Sequence, residues 1–126
     1  MLVRHEPTSA GVVRRRLADD LTAAGVGADV IEEVVLVASE LVGNAIRHTS
    51  AESGQPLDVT WDRQGDDLVV AVSDGSRLIP RRRDARVDTT GGRGLAIVEA
   101  IASSWGVSPT PTGKRVWARL RLRPSS

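Results

Sequence analysis

A long amphipathic helix, predicted for residues 28 to 48, constrains the fold of this chain more than any other feature. Its apolar side chains recur at helical spacing and form one broad stripe, made of Val30, Ile31, Val34, Val35, Ala38, Leu41, Val42 and Ala45. A stripe of this width is stable only when it is buried against another layer of structure. The remainder of the chain must therefore supply that layer.

The other periodic segments predict a β-sheet as the partner layer. Strands are expected from Leu57 to Trp61, from Leu68 to Asp74, from Trp105, and from Val116 to Leu122, with a short possible strand at residues 2 to 5. A first helix follows Pro7-Thr8-Ser9 and ends at the glycines 25 and 27, and a third helix is expected from 94 to 104. This order predicts an α+β two-layer sandwich whose mixed, mostly antiparallel sheet carries about three helices on one face.

Composition narrows the classes of protein that this chain can be. Its 126 residues fit one domain, 1–126, with 40% hydrophobic and 26% charged residues. The core must rely on aliphatic side chains because Phe and Tyr are absent. The absence of cysteine excludes disulfides and thiolate metal sites. No apolar run approaches the roughly 20 residues that cross a bilayer. We therefore expect a cytoplasmic protein that binds neither membranes nor, directly, nucleic acid.

Three polar residues lie four apart along the end of the long helix. Glu40, Asn44 and His48 form a stripe beside the apolar face. Alone, such a stripe is more often solvated than functional. Asn44 is unusual because Asn is a poor helix former, and its small neighbours leave room for a ligand. Its amide oxygen suits Mg²⁺, and Glu40 is placed to orient or deprotonate an attacking water or hydroxyl. Arg47 and His48 are interpreted as phosphate neighbours or as a charge pair at the helix C-terminus.

A carboxylate ends the second strand of the predicted hairpin. Asp74 follows an apolar run, and Gly75 would let a flat ligand approach the backbone. An Asp here can accept a hydrogen bond from an exocyclic amine such as that of adenine. A simple Asp-Gly turn is the alternative.

A glycine cluster opens the third helix. Backbone N–H groups at a helix start favour anions, and the cluster leaves them uncovered by side chains; it comprises Gly91, Gly92, Arg93, Gly94 and Leu95. A flexible hinge or a helix cap would have the same sequence. The preceding segment, 75 to 90, has no periodicity and is basic, so we expect a surface loop that attracts either triphosphate or an acidic partner, or is merely solvated.

These three motifs, in this order, resemble the nucleotide site of the GHKL (Bergerat-fold) ATPase superfamily. Across nearly its whole length the chain is similar to the small anti-sigma-factor serine kinases, which have a histidine kinase-like ATP-binding domain. The resemblance implies that Asn44 holds Mg²⁺, that Glu40 is the catalytic base, and that Asp74 recognises adenine. It further implies that Gly92 and Gly94 contact the phosphates of ATP.

The resemblance also implies partners. It suggests a serine/threonine kinase that phosphorylates an anti-sigma-factor antagonist, sequesters a sigma factor and so regulates transcription, with a homodimer as a possible assembly. The alternative is a non-catalytic module in which ATP orders the 75–90 loop and gates partner binding. A structural protein that has lost the nucleotide is a third possibility.

Two segments depart from the wider superfamily. The second glycine that usually follows the aspartate motif is missing from the segment 75–80. The last hairpin carries Gly113-Lys114-Arg115 where some relatives have hydroxyl residues near the adenine.

Overall fold

The computed structural model describes residues 1–48, 56–74, 93–111 and 113–122, including all their side chains except those of residues 48, 93 and 94. The elements are β1 (Leu2–Val3), α1 (Ser9–Ala23), α2 (Ala28–His48), β2 (Leu57–Gln64), β3 (Asp67–Asp74), α3 (Arg93–Ile101), β4 (Ser104–Thr110) and β5 (Gly113–Arg121). The predicted order of helices and strands is confirmed.

The strands form one five-stranded sheet in the order β1-β2-β3-β5-β4. The predicted two-layer α+β fold is confirmed. Each neighbouring pair of described strands is antiparallel, whereas a mixed sheet was predicted. The reason lies in the connections: β2-β3 and β4-β5 are hairpins, and the connection through α3 returns the chain so that β5, and not β4, lies beside β3.

Local backbone chemistry sets the two long helices. The first helix ends where Gly25 takes a positive φ of 81°, a conformation that other residues adopt only with strain. The N–H of Val26 then donates to the carbonyl of Leu21 across the helix end, at 3.0 Å. The second helix keeps the predicted bounds, and it packs against α1, α3 and the sheet. It is therefore the central element of the helical layer.

The core lies between α2 and the inner face of the sheet. Cross-strand partners on this face form successive rows, one of which consists of the buried Val59, Val72 and Val116 and of Val107, which is exposed on the edge strand. The next row contains Trp61, Val70, Ala118 and Trp105. Aliphatic side chains thus make the core, as the composition predicted, and each fully buried Val or Leu contributes about 1.5–3 kcal/mol.

Several boundaries differ from the prediction, since β2 extends to Gln64 and not only to Trp61, and β5 begins at Gly113 and not at Val116. Strand β1 is confined to Leu2–Val3, and α3 ends at Ile101 because Ser103 already donates its N–H to the carbonyl of Arg119 on β5. Strand β4 continues through Pro109, where a turn was expected. Proline fits there because β4 is an edge strand, so its missing N–H interrupts no ladder. None of the described helices is long and apolar enough to cross a bilayer.

Candidate functional site

Asn44 lies at the buried end of α2. Asn44 is 2% exposed and therefore lies within the buried face of the helix. The sequence had suggested a position beside that face. The neighbouring Leu41 and Ala45 are core residues, which draws Asn44 inward with them. Its Oδ1 atom has no hydrogen-bond partner in the part of the chain that the structure describes. Such an orphaned acceptor is costly in a folded protein and points to a ligand.

Glu40 lies one helical turn before Asn44 and is half-buried. Side chains four residues apart on a helix are neighbours, with Cβ atoms about 5–6 Å apart. The side chain of Glu40 therefore neighbours that of Asn44 and is partly exposed to solvent. This placement suits a group that exchanges a proton with a ligand.

The last turn of α2 carries positive charge. Arg47 is exposed, and its guanidinium lies over Gly43: an added Cβ at Gly43 would be 3.3 Å from Nη1. On the Gly43 side of Asn44, the space is taken up by the flexible side chain of Arg47. A cation here is favoured by the partial negative charge at the helix C-terminus. His48 closes the helix.

Asp74 is the last residue of β3 and faces the helical layer. It is 7% exposed, and one carboxylate oxygen, Oδ1, accepts a hydrogen bond of 3.4 Å from the backbone N–H of Lys114 on β5. Strand alternation places it on the same face as Val70 and Val72. A buried carboxylate at the end of an apolar strand is therefore directed toward the space between the layers.

Helix α3 begins at Arg93, with Gly94 in its first turn and Leu95 buried. The other predicted contacts of this motif, Gly91 and Gly92, lie outside the described residues, as do Gly75 and the basic loop of 75–90. The helix packs against α2. Its N-terminus, which carries partial positive charge, belongs to the same layer as Asn44.

One buried residue of this region was not predicted as part of the site. Lys114, the only lysine of the chain, is 7% exposed and lies opposite Asp74. The sequence did contain a signal for this burial, because Lys114 lies two residues before Val116 and so shares the strand face of Val116, Ala118 and Leu120. The strand had been predicted to start only at Val116, so this shared face was not extended back to Lys114.

The donor set around Asn44 fits Mg²⁺. In the described ranges, no group of three or more His, Asp or Glu residues is arranged to hold a metal. An ion here would have one protein oxygen and would take its other oxygens from water and phosphate. Mg²⁺ is commonly bound in this way with nucleotides.

A family model for the histidine kinase-like ATPase domain matches residues 3–120. The chain belongs to this family. The match spans every motif of the candidate site, from Glu40 to the glycine cluster. The GHKL-type fold and an ATP-binding role are therefore those of the family. No curated protein shows significant sequence similarity to this histidine kinase-like ATPase domain.

Two solved structures share the fold. The RsbU and RsbW domains of Rv1364c from Mycobacterium tuberculosis match with a TM-score of 0.68 and 23% identity over 99% of this chain and 32% of that one. The histidine kinase domain of a blue-light-activated histidine kinase from Erythrobacter litoralis matches with a TM-score of 0.55 and 19% identity, over 90% and 61% of the two chains. The domain thus spans about a third of the first protein, and identities this low bear on fold alone.

Proposed function

We propose that this domain binds Mg-ATP between α2, α3 and the sheet and transfers the γ-phosphate to a serine or threonine of an anti-sigma-factor antagonist. In the same proposal, the domain itself sequesters a sigma factor. The single observation that supports nucleotide binding most strongly is the orphaned Oδ1 of Asn44, buried one turn from Glu40.

Different residues would bind the metal ion, the adenine and the phosphates. Asn44 would hold Mg²⁺ through Oδ1, and the ion would neutralise charge on the phosphates when bound. Asp74 would accept a hydrogen bond from the exocyclic amine of adenine. The N-terminus of α3 and the glycines before it would donate backbone N–H groups to phosphate oxygens. Arg47, exposed at the end of α2, would lie near the same charge.

Glu40 would act as the general base. Its carboxylate would accept the proton of the substrate hydroxyl as that oxygen bonds to the γ-phosphorus and the bond from phosphorus to the bridging oxygen breaks, leaving ADP and a phosphorylated side chain. The half-buried position of Glu40 lets a protein substrate approach it from solvent. General-base catalysis typically contributes about 10²–10⁴-fold in rate.

We therefore predict that Glu40→Gln binds Mg-ATP with nearly the affinity of the wild type but loses phosphotransfer by at least about 100-fold, because only proton acceptance is removed. The measurement is single-turnover transfer from labelled ATP to the antagonist protein. Glu33→Gln is the matched control, since it makes the same change on the exposed surface of the same helix and should retain full activity.

Equal transfer rates for Glu40→Gln and wild type would contradict the role of Glu40. If the wild type bound ATP but phosphorylated no antagonist, the kinase would be rejected in favour of the ATP-gated interaction module. That module would then have to show nucleotide-dependent affinity for its partner. A homodimer, a cytoplasmic location and the single-domain extent 1–126 stay predictions.

A further inference from the structure

Lys114 and Asp74 lie side by side on the inner face of the sheet. Ser73 pairs with Arg115, so Asp74 and Lys114 are opposite each other at the next position of β3 and β5. The 3.4 Å hydrogen bond from the Lys114 N–H to Asp74 Oδ1 joins the two strands there. Both side chains are at least nine-tenths buried. A carboxylate and an ammonium therefore share one end of the interlayer space.

Lys114 is the most deeply buried cationic residue of the described structure. The described ion pairs are those of the N-terminus with Asp58 and of Arg119 with Asp67, and neither includes Lys114. Among the described residues its side chain makes no hydrogen bond. The ammonium is not among the fully buried polar atoms that lack a partner, so the stem of Lys114 is buried while its charged end keeps some contact with solvent. The ammonium is therefore accessible to a hydrogen-bond acceptor on a ligand.

The surroundings favour an aromatic base as that ligand over a phosphate. The row of cross-strand neighbours that contains the pair is completed by Leu57 on one side and Pro109 on the other, and the row beneath it is entirely valine. A flat apolar floor with two polar groups suits a purine. A polyphosphate would instead be repelled by the carboxylate of Asp74 next to it.

We propose that Lys114 determines base specificity by donating a hydrogen bond to a ring nitrogen of adenine while Asp74 accepts one from the adjacent exocyclic amine. The exocyclic amine of adenine is a hydrogen-bond donor with an acceptor ring nitrogen on either side. On one edge of the base this nitrogen is N1, and on the other it is N7. An acceptor and a donor side by side in the protein are complementary to either edge. This inference rests on the proposed nucleotide-binding function and deepens it.

The test compares Lys114→Met with the wild type by calorimetry, using ATP, 1-deaza-ATP and 7-deaza-ATP with Mg²⁺. Methionine retains much of the chain length and removes the ammonium. We expect the substitution to weaken ATP binding about tenfold or more, the range for a hydrogen bond to a charged group. One of the two deaza analogues should weaken binding to the wild type by a similar factor. For Lys114→Met, the same deaza analogue should bind with the same affinity as ATP.

Two measurements separate this role from a structural one. Arg121→Met, on the exposed end of the same strand, makes the same charge change and should bind ATP like the wild type. Without nucleotide, Lys114→Met should melt close to the temperature of the wild type, because the ammonium makes no hydrogen bond or ion pair with the described residues and methionine keeps the buried stem.

Unchanged ATP affinity in Lys114→Met would overturn the inference and leave the proposed function in place. A lower melting temperature with equal losses for ATP and both analogues would also overturn it, since Lys114 would then be structural. No ATP binding by the wild type would reject the proposed function itself.

Discussion

At the scale of single residues, stability and function are opposed at Asn44. Asparagine is a poor helix former, and its buried Oδ1 has no hydrogen-bond partner among the described residues, so both properties destabilise the ligand-free fold. We predict that Asn44→Ala raises the free energy of unfolding of the ligand-free protein by roughly 0.5–1.5 kcal/mol. Chemical denaturation without nucleotide measures this. A loss of stability of similar size would mean that Asn44 is structural and that its oxygen is not reserved for a ligand.

At the scale of elements, the β4-β5 hairpin that carries Lys114 depends on a close approach at Gly106. An added Cβ there would lie 2.9 Å from Cζ2 of Trp117, a bulky side chain on the paired strand. We predict that Gly106→Ala lowers the free energy of unfolding by about 1–3 kcal/mol through overpacking. Gly11→Ala is the control: the new Cβ would be 3.7 Å from Arg14, an ordinary contact, and alanine favours helix α1. If Gly106→Ala and Gly11→Ala had the same melting temperature, the contact with Trp117 would not constrain the hairpin.

At the scale of the whole molecule, the sequence predicted what depends on periodicity and left undetermined what depends on pairing. The bounds of α2, the start of β2 and the end of β3 follow from apolar spacing and from turn residues near each element. The position of β5 beside β3 does not, because it is set by packing across the α3 connection. That pairing places Lys114 opposite Asp74, so the sequence could give Asp74 as a site residue but not its neighbour. The depth of Asn44 likewise depends on the layer that covers α2.

The central claim is that Asn44 and Asp74 belong to one Mg-ATP site, and titration calorimetry of Mg-ATP tests it most directly. The proteins to compare are the wild type, Asn44→Ala, Asp74→Asn and, as a control, Asp62→Asn, which removes an exposed carboxylate from β2. We predict saturable binding by the wild type and by Asp62→Asn, and a loss of about tenfold or more in each site variant, since each loses an interaction with a charged or polar ligand group worth about 1.5–3 kcal/mol. Wild-type affinity in both site variants, or no binding by the wild type, would contradict the account.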